Sequence, residues 1–266
     1  MKRKTKFWKY DGAGNDFILM DGIEDPQLLH ISEQEIARLC HRRFGIGADG
    51  LMVLSPSEEA GIDFRMTYYN SDGRPAEMCG NGGRCIAVFA YNRGHCSTAT
   101  RFVADDGEHT AEIATTSMED VWMVKLGMRD VDGGTIQRCL DGWVLNTGVP
   151  HYVQRVSDLE HFDVVGEGRK IRHREELGEE GANVNFIEDG EDGRLTVRTY
   201  ERGVEDETWA CGTGVTACAI VTGNRRLKAK GGDFAVDFDT NGKRYYNIKL
   251  IGPAAYNFSG EIDIDL

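Results

Sequence analysis

A Cys-Gly-x-Gly turn occurs twice in this chain, and the second copy lies 132 residues after the first. The copies begin at Cys79 and Cys211, an offset of almost half of the 266-residue sequence. Each copy follows an alternating or β-branched run, typical of a strand, and leads into an apolar stretch, typical of a helix. This repeated order of strand, polar loop, turn and helix predicts a duplicated fold in which each half contributes one cysteine to a shared cleft.

The length fits two domains of ordinary size better than one large core. Apolar residues make up 40% of the chain, which is enough for a packed interior. We place the boundary near residues 115–120, so that residues 1–118 form an N-terminal half and residues 119–254 a C-terminal half. The last segment, residues 255–266, is predicted to return and complete the first half.

Charge and apolar patterning exclude several classes of protein. The formal net charge is -13, which argues against a nucleic-acid partner because such partners need a basic footprint. No run of 18 apolar residues occurs, so no membrane helix is expected. The basic N-terminus continues into Phe7–Tyr10 instead of an apolar stretch, so we expect no secretory signal. Seven cysteines without secretory context indicate reduced thiols in a cytoplasmic protein.

Local patterns predict the main elements. Strands Lys6–Tyr10 and Phe17–Asp21 flank a Gly-rich turn, and Ser32 with Glu35 forms a capping box at the start of a helix that ends near Gly45. Further strands are predicted at Leu51–Leu54, Val121–Leu126, Gly142–Leu145, Asn183–Glu188, Phe234–Phe238 and Arg244–Ile251. Two acidic stretches are predicted to be solvated loops: Glu175–Gly181 and Glu188–Asp192.

The two Cys-Gly-x-Gly turns suit proton transfer at carbon. A cysteine pKa of about 8.5 falls to roughly 3.5–7.5 at helix N-termini. The glycines let backbone N–H groups approach a ligand, and a helix N-terminus favours an anion such as an α-carboxylate. Two thiols facing one substrate could remove a proton from one face of a carbon and return it to the other. The pattern therefore predicts general acid–base catalysis with inversion and without a cofactor.

The other cysteines have simpler explanations. Cys85 and Cys218 fall inside the helices that follow the turns, where core packing is expected. Three cysteines follow no pattern and are expected to be structural or exposed: Cys40, Cys96 and Cys139. No Cys-x-x-Cys pair occurs and no histidine sits at ligand spacing, so we predict no metal site. A disulfide between Cys79 and Cys211 remains open as an oxidised, inactive side state.

Six motifs, in the order in which they occur, together resemble the diaminopimelate epimerase family: Gly14–Phe17, Gly45–Gly50, Asn70–Gly73, Met78–Gly82, Tyr200–Gly203 and Ala210–Gly214. The resemblance implies an α/β (α+β) fold of two pseudo-symmetric domains, each a curved, mostly antiparallel sheet or barrel around a central helix. It also implies conversion of LL-2,6-diaminopimelate to the meso form without pyridoxal phosphate, on the route to lysine and peptidoglycan. The expected partners are this diamino diacid and a second copy in a homodimer.

The resemblance also assigns roles to residues of this sequence. Cys79 and Cys211 look like the acid–base pair. Four residues would grip the reacting carboxylate through backbone amides: Gly80, Asn81, Gly212 and Thr213. Five would contact the substrate's amino-acid groups with their side chains: Asn15, Asn70, Asn183, Glu201 and Arg202. These types suit a zwitterionic diacid, because an Arg fork fits a carboxylate and an acidic residue accepts from an ammonium. Asn185 competes with Asn183 for its assignment.

The sequence departs from the family pattern at two positions. Val149 stands where many members carry an Asn that contacts the distal end of the substrate, and Gly50 stands where some carry Gln. Asn146 and Thr147 are the nearest polar replacements, and His151 is expected to orient this loop. Because both changes remove polar side chains, the distal specificity is left open.

Three other functions compete with this interpretation. A proline racemase or hydroxyproline epimerase shares the two-cysteine scheme, but its first motif resembles Cys-Gly-His-Gly, whereas this chain has Asn81 at the third position. A cyclic imino acid would also have no use for Arg202 and Glu201. A thiol redox protein would not need paired carboxylate cradles. A non-catalytic binding module of the same fold would leave the thiols dispensable.

Overall fold

The computed structural model describes residues 2–76 and 79–265. Contacts divide the chain into two compact units, the first comprising Met1–Leu126 with Pro253–Leu266 and the second Gly127–Gly252. The sequence placed the first boundary earlier, at residues 118/119. The strand Val121–Gly127, which the sequence assigned to the second half, pairs with the strand Gly107–Thr115 and therefore belongs mainly to the first unit.

The elements follow in chain order. The first unit contains helices α1 (Glu33–Cys40) and α2 (Gly80–Asn92) and strands β1 (Lys2–Gly12), β2 (Asn15–Asp21), β3 (Gly50–Ser55), β4 (Phe64–Asn70), β5 (Ala99–Ala104), β6 (Gly107–Thr115) and β7 (Val121–Gly127). The second contains helices α3 (Val164–Arg172) and α4 (Gly212–Thr222) and strands β8 (Val131–Asp132), β9 (Gln137–Cys139), β10 (Gly142–Asn146), β11 (Pro150–Arg155), β12 (Asn183–Asp189), β13 (Leu195–Glu201), β14 (Asp206–Thr208), β15 (Arg226–Ala229) and β16 (Gly232–Thr240). Strand β17 (Arg244–Asp265) begins in the second unit and ends in the first.

The first unit is a closed, curved sheet around α2. Strands β1 and β2 pair antiparallel, β2 and β3 parallel, β3 and β4 antiparallel, and β4 and β5 parallel. Strand β6 pairs antiparallel with both β5 and β7. Strand β17 pairs with β7 and with β1 and so closes the ring. Helix α2 is buried from Asn81 to Ala90, because its apolar and small side chains fill the interior.

The second unit repeats this order of pairing. Strands β10 and β11 pair antiparallel, β11 and β12 parallel, β12 and β13 antiparallel, β13 and β15 parallel, and β15 and β16 antiparallel. Strand β9 pairs with β10 and β8 with β17, so the short turn between β8 and β9 joins the two ends of the sheet. Helix α4 packs inside it. The mixed α+β class predicted from the sequence is confirmed.

Several local predictions differ in detail from the structure. The last segment, predicted as residues 255–266, returns to pair with β1 as expected, but it is the end of one 22-residue strand, β17, and not a separate element. Helix α3 was not predicted, because its two glycines weaken the helical signal. One acidic stretch forms a short 3-10 turn at Glu175–Leu177, and the other begins within β12. Across the described ranges, no helix combines the length and apolar content needed to cross a bilayer.

The predicted capping box at α1 is half formed. The Ser32 hydroxyl accepts a hydrogen bond from the Glu35 backbone N–H at 3.3 Å, so Ser32 is the N-cap as expected. The Glu35 carboxylate, however, accepts from the Arg38 guanidinium and from the Asp265 backbone N–H. Glu35 therefore ties α1 to the end of β17.

Candidate active site

In the first unit, the predicted site residues gather at one edge of the sheet. Asn15 is the first residue of β2 and Asn70 is the last residue of β4. Between these strands, Gly50 begins β3 and pairs with both Phe17 and Asn70. Because β3 runs parallel to β2 and antiparallel to β4, the start of β2 and the end of β4 lie at the same edge.

The second unit builds the equivalent edge from the equivalent strands. Asn183 begins β12 and pairs with His151 near the start of β11. Glu201 ends β13, and the pairing of Val184 with Tyr200 puts Asn183 next to Glu201 at the end of the ladder. This edge therefore carries Asn183, Glu201 and, one residue beyond the strand, Arg202.

Cys79 is the N-cap of α2. Its sulfur accepts a hydrogen bond from the Gly82 backbone N–H at 3.2 Å, the position that a Ser or Asp oxygen takes in most N-caps. The first backbone bond of the helix runs from Gly83 to the Cys79 carbonyl, so the N–H groups of Gly80 and Asn81 precede the helical ladder. Hydrogen bonding and the helix dipole both favour an anionic sulfur at this position.

The hairpin between β1 and β2 lies against this helix start. Ala13 and Gly14 both have positive φ angles, 62° and 90°, as a two-residue type I′ turn requires. A Cβ on Gly12 would lie 2.7 Å from the Asn81 carbonyl oxygen, so only glycine allows this approach. The hairpin brings Asn15 to Asn81, whose amide nitrogen donates to the Asn15 amide oxygen at 3.2 Å.

Cys211 is the N-cap of α4 and has a different neighbour. Its sulfur lies 3.4 Å from the Thr213 hydroxyl, within hydrogen-bonding distance for sulfur. The first helical backbone bond runs from Val215 to the Cys211 carbonyl, so the N–H groups of Gly212 and Thr213 precede the ladder, as in α2. Neither helix has an acidic residue in its first turn, which keeps both N-termini favourable for a carboxylate.

The Gly148 loop is tied to the start of α4. The Thr147 hydroxyl donates to the Thr213 carbonyl at 2.9 Å, and the Asn146 side-chain oxygen accepts from the Gly148 N–H at 2.9 Å. Thr147 is buried and Val149 is partly exposed. Of the two polar replacements considered for the missing Asn, Thr147 therefore uses its hydroxyl to hold the loop, and Asn146 uses its oxygen within the turn.

The two candidate asparagines of β12 have different surroundings. The Asn183 side-chain oxygen accepts from the Arg202 backbone N–H at 2.8 Å. The Asn185 amide donates to the Tyr152 carbonyl and to His151 Nδ1, and its oxygen accepts from the Thr199 hydroxyl. The internal partners of Asn185 mark it as a structural residue. Asn183 keeps the contact that positions Arg202.

His151 is fully buried beside Asn185. Burial, with the positive charge of Arg202, lowers the pKa of His151 from 6.5 to about 3, so the ring is neutral at pH 7. Because Nδ1 accepts from Asn185, the proton of this neutral ring resides on Nε2. Nε2 is buried and has no hydrogen-bond partner among the described residues. Through Nδ1, His151 is joined to Asn185 of β12, and its expected role in orienting the Gly148 loop stays a prediction.

Glu201 and Arg202 are neighbours in the chain but differ in surroundings: the Glu201 carboxyl is buried, and the Arg202 guanidinium pairs with an exposed carboxylate. Burial raises the pKa of Glu201 above 4.5. Arg202 Nη1 donates to Glu180 at 2.9 Å, and the Glu180 side chain is 85% exposed. An exposed ion pair of this kind is worth about 0–1 kcal/mol, so an anionic ligand can compete for the guanidinium.

The structure brings most predicted site residues together within each unit. Asn15 contacts Asn81, Cys211 contacts Thr213, and Asn183 contacts the backbone of Arg202. Asn70 is exposed, and its backbone closes the turn with Arg74. Two further residues contact this set but carried no sequence signal of their own: Asp49, within the Gly45–Gly50 motif, and Arg84, in α2 just beyond the Met78–Gly82 motif. Within residues 2–76 and 79–265, no group of three or more His, Cys, Asp or Glu side chains is arranged to hold a metal ion.

Comparisons with known proteins find similarity along most of the chain. The diaminopimelate epimerase family profile matches residues 7–128 and 143–258. The diaminopimelate epimerase of Flavobacterium psychrophilum is 42% identical over 269 residues, covering 97% of this chain and 100% of that protein. That of Chlorobaculum tepidum is 41% identical over 262 residues, covering 95% and 99%. A crystal structure of a probable proline racemase from Agrobacterium radiobacter K84 has a TM-score of 0.68 at 13% identity, covering 98% and 93%, which shows a likeness of fold alone.

Proposed function

Because the chain belongs to the diaminopimelate epimerase family, we propose that it interconverts the LL and meso forms of 2,6-diaminopimelate, with Cys79 and Cys211 as the acid–base pair. The observation that carries this proposal is that each cysteine is the N-cap of a buried helix inside its own unit. Two cysteines at equivalent positions of a repeated strand–turn–helix unit suit a reaction in which they exchange the roles of general acid and general base.

The chemistry is one proton removed and one returned. A thiolate at one cysteine takes the α-proton, and the thiol at the other donates its proton to the opposite face of the same carbon. In the reverse reaction, the cysteine that was the thiolate starts as the thiol, and the other starts as the thiolate. The N–H groups of Gly80, Asn81, Gly212 and Thr213 would hold the reacting carboxylate, and the positive helix ends would stabilise the negative charge that develops. This scheme uses no cofactor and needs reduced thiols, which suits a cytoplasmic enzyme.

The polar edges described above would hold the rest of the substrate. Arg202 offers a planar fork to a carboxylate, and Glu201 offers an acceptor to an ammonium. Asn15, Asn70 and Asn183 supply amides for the remaining amino-acid groups. Val149 leaves the distal end with one amide fewer than in many relatives, so Arg202 would carry more of the recognition there. A cyclic imino acid lacks the distal groups that this set would bind.

The proposal is tested by incubating the protein with LL- or meso-diaminopimelate in heavy water. We expect α-deuterium to appear together with inversion of the α-centre, because the returned proton comes from a thiol that exchanges with solvent. DL-proline is the matched substrate control and should gain no deuterium. Inversion without deuterium uptake would contradict the two-thiol scheme. Deuterium in proline would favour the racemase alternative.

A further inference from the structure

We propose that Asp49 and Arg84 are positioning residues that fix the side-chain amides of Asn15 and Asn81 from opposite ends of one hydrogen-bonded chain. Asp49 Oδ2 accepts from Asn15 Nδ2 at 2.5 Å. Asn15 Oδ1 accepts from Asn81 Nδ2 at 3.2 Å, and Asn81 Oδ1 accepts from Arg84 Nη2 at 2.9 Å. We call these four residues the amide chain. Its role in catalysis rests on the proposed function.

The acidic end of the amide chain is held in place by its own neighbours. Asp49 Oδ1 accepts from Arg42 Nη2 at 2.6 Å, and the Asp16 backbone N–H donates to Asp49 Oδ2 at 3.2 Å. Arg42 also binds the Asp16 carboxylate, which in turn pairs with Lys9. The Asp49 side chain is 40% exposed, so these contacts, and not burial, set its orientation.

The basic end is held by burial. Arg84 is fully buried in α2. Its guanidinium also donates to the carbonyls of Gly80 at 3.1 Å, Gly12 at 3.5 Å and Pro253 at 3.0 Å. Burial lowers the pKa of Arg84 to about 10, which still leaves it charged at neutral pH. A buried charge is tolerated when hydrogen bonds surround it, and here they come from the hairpin, the helix and β17.

The chemistry of the two ends fixes the direction of every bond between them. An ionised carboxylate can only accept, and a guanidinium can only donate. Asn15 must therefore turn its NH2 towards Asp49 and its oxygen towards Asn81, and Asn81 must turn its oxygen towards Arg84. Flipping either amide would set two donors or two acceptors against each other. A chain of this kind behaves as one unit, because each bond polarises the next.

The amide chain has a consequence for substrate binding. Asn15 and Asn81 are both proposed substrate contacts, one through its side chain and the other through its backbone. The chain keeps the Asn15 amide in a single orientation and joins it to the first turn of α2, which follows Cys79. Without either charged end, the amides could rotate, and the substrate would have to order them when it binds.

A double-mutant cycle tests this inference. Asp49→Asn removes the acceptor-only end, and Arg84→Gln removes the donor-only end. Each should raise KM for diaminopimelate and lower kcat/KM about tenfold, the scale of one hydrogen bond to a charged group. Because both substitutions remove the same constraint, kcat/KM of the double variant should also fall about tenfold and not a hundredfold. Arg84→Lys keeps a donor-only cation and should stay within about threefold of wild type.

Asp105→Asn is the matched control. Asp105 is 47% exposed and pairs with Arg65 at 3.0 Å, so it resembles Asp49 but lies outside the amide chain. It should leave kcat/KM within about twofold of wild type and should combine additively with Arg84→Gln. If Arg84→Gln does not fold, the same cycle is run with Asp49→Asn and Asn81→Ala.

The possible outcomes separate this inference from the proposed function. Additive losses of kcat/KM in the Asp49 and Arg84 variants would overturn the inference while leaving the activity standing. A wild-type protein that does not epimerise diaminopimelate would overturn the proposed function instead. In that case, coupling between the same two positions in the free energy of unfolding, which needs no substrate, decides whether the amide chain exists. Additive changes in the free energy of unfolding would show that the four residues do not act as one chain.

Discussion

At the scale of single residues, position along a helix separates the cysteines of each motif. Cys79 and Cys211 are N-caps, at the positive end of a helix dipole, which favours a negative charge. Cys85 and Cys218 are fully buried in the same helices, and burial raises the pKa of both thiols. The second cysteine of each motif therefore stays protonated and packs as a small apolar side chain, as the sequence predicted.

Arg202 gives the first prediction at this scale. Arg202→Lys keeps the charge but loses the planar fork, and we expect kcat/KM for diaminopimelate to fall at least about tenfold, or ~1.4 kcal/mol of transition-state binding. The ion pair with Glu180 should contribute little to this loss, because Glu180 is exposed. Steady-state kinetics on both stereoisomers measures the effect.

Arg174→Lys is the control for this prediction. Arg174 pairs with Glu176 at 3.0 Å on the surface of the same unit, and no substrate role is proposed for it. Its replacement should leave kcat/KM unchanged within error. An Arg202→Lys protein as efficient as this control would remove Arg202 from distal recognition.

At the scale of elements, the start of α4 depends on the loop before β11. Gly148 has a φ of 125°, and a Cβ there would lie 3.7 Å from the Thr213 side chain. The Thr147 hydroxyl bonds the Thr213 carbonyl from the same loop. One short loop therefore sets the position of a residue proposed to hold the substrate carboxylate.

The second prediction follows from this contact. Thr147→Val keeps the shape of the buried side chain but removes the donor to Thr213, at a cost of about 1–3 kcal/mol in the free energy of unfolding. KM should rise several-fold as the loop loosens from α4. Urea unfolding and steady-state kinetics measure the two effects.

Thr222→Val provides the comparison at the other end of α4. The Thr222 hydroxyl donates to the Cys218 carbonyl at 2.7 Å. The substitution therefore removes a similar hydrogen bond, but at the end of α4 that is far from Cys211. KM should stay near the wild-type value in this variant. Equal changes in KM for the two threonine variants would show that the loop has no special part in binding.

At the scale of the whole molecule, the sequence predicted the repeat, but it did not predict the long-range contacts that position the candidate site residues. The paired motifs were visible because strand, turn and helix patterns are local, and the repeated pairing order of the two units agrees with them. The register that puts Gly50 between Phe17 and Asn70 was not visible, because strand pairing depends on residues far apart in the chain.

Two residues show why these contacts could not be predicted. Asp49 lies in a loop, and its contact with Asn15 forms only when the hairpin brings Asn15 to it. Arg84 reads as a helix cation, which is more often exposed, yet it is fully buried and reaches Gly12 and Pro253. Contacts across 72 and 169 residues leave no local pattern in a single sequence.

The most direct test of the central claim compares four cysteine variants in one assay of diaminopimelate inversion. Cys79→Ala and Cys211→Ala should each lower inversion to the background rate while keeping the wild-type fold, because each removes one of the two proton-transfer groups. Cys85→Ala and Cys218→Ala lie in the same helices and should stay active, with a modest loss of stability from the trimmed core. Full turnover by either of the first two variants would contradict the two-thiol mechanism.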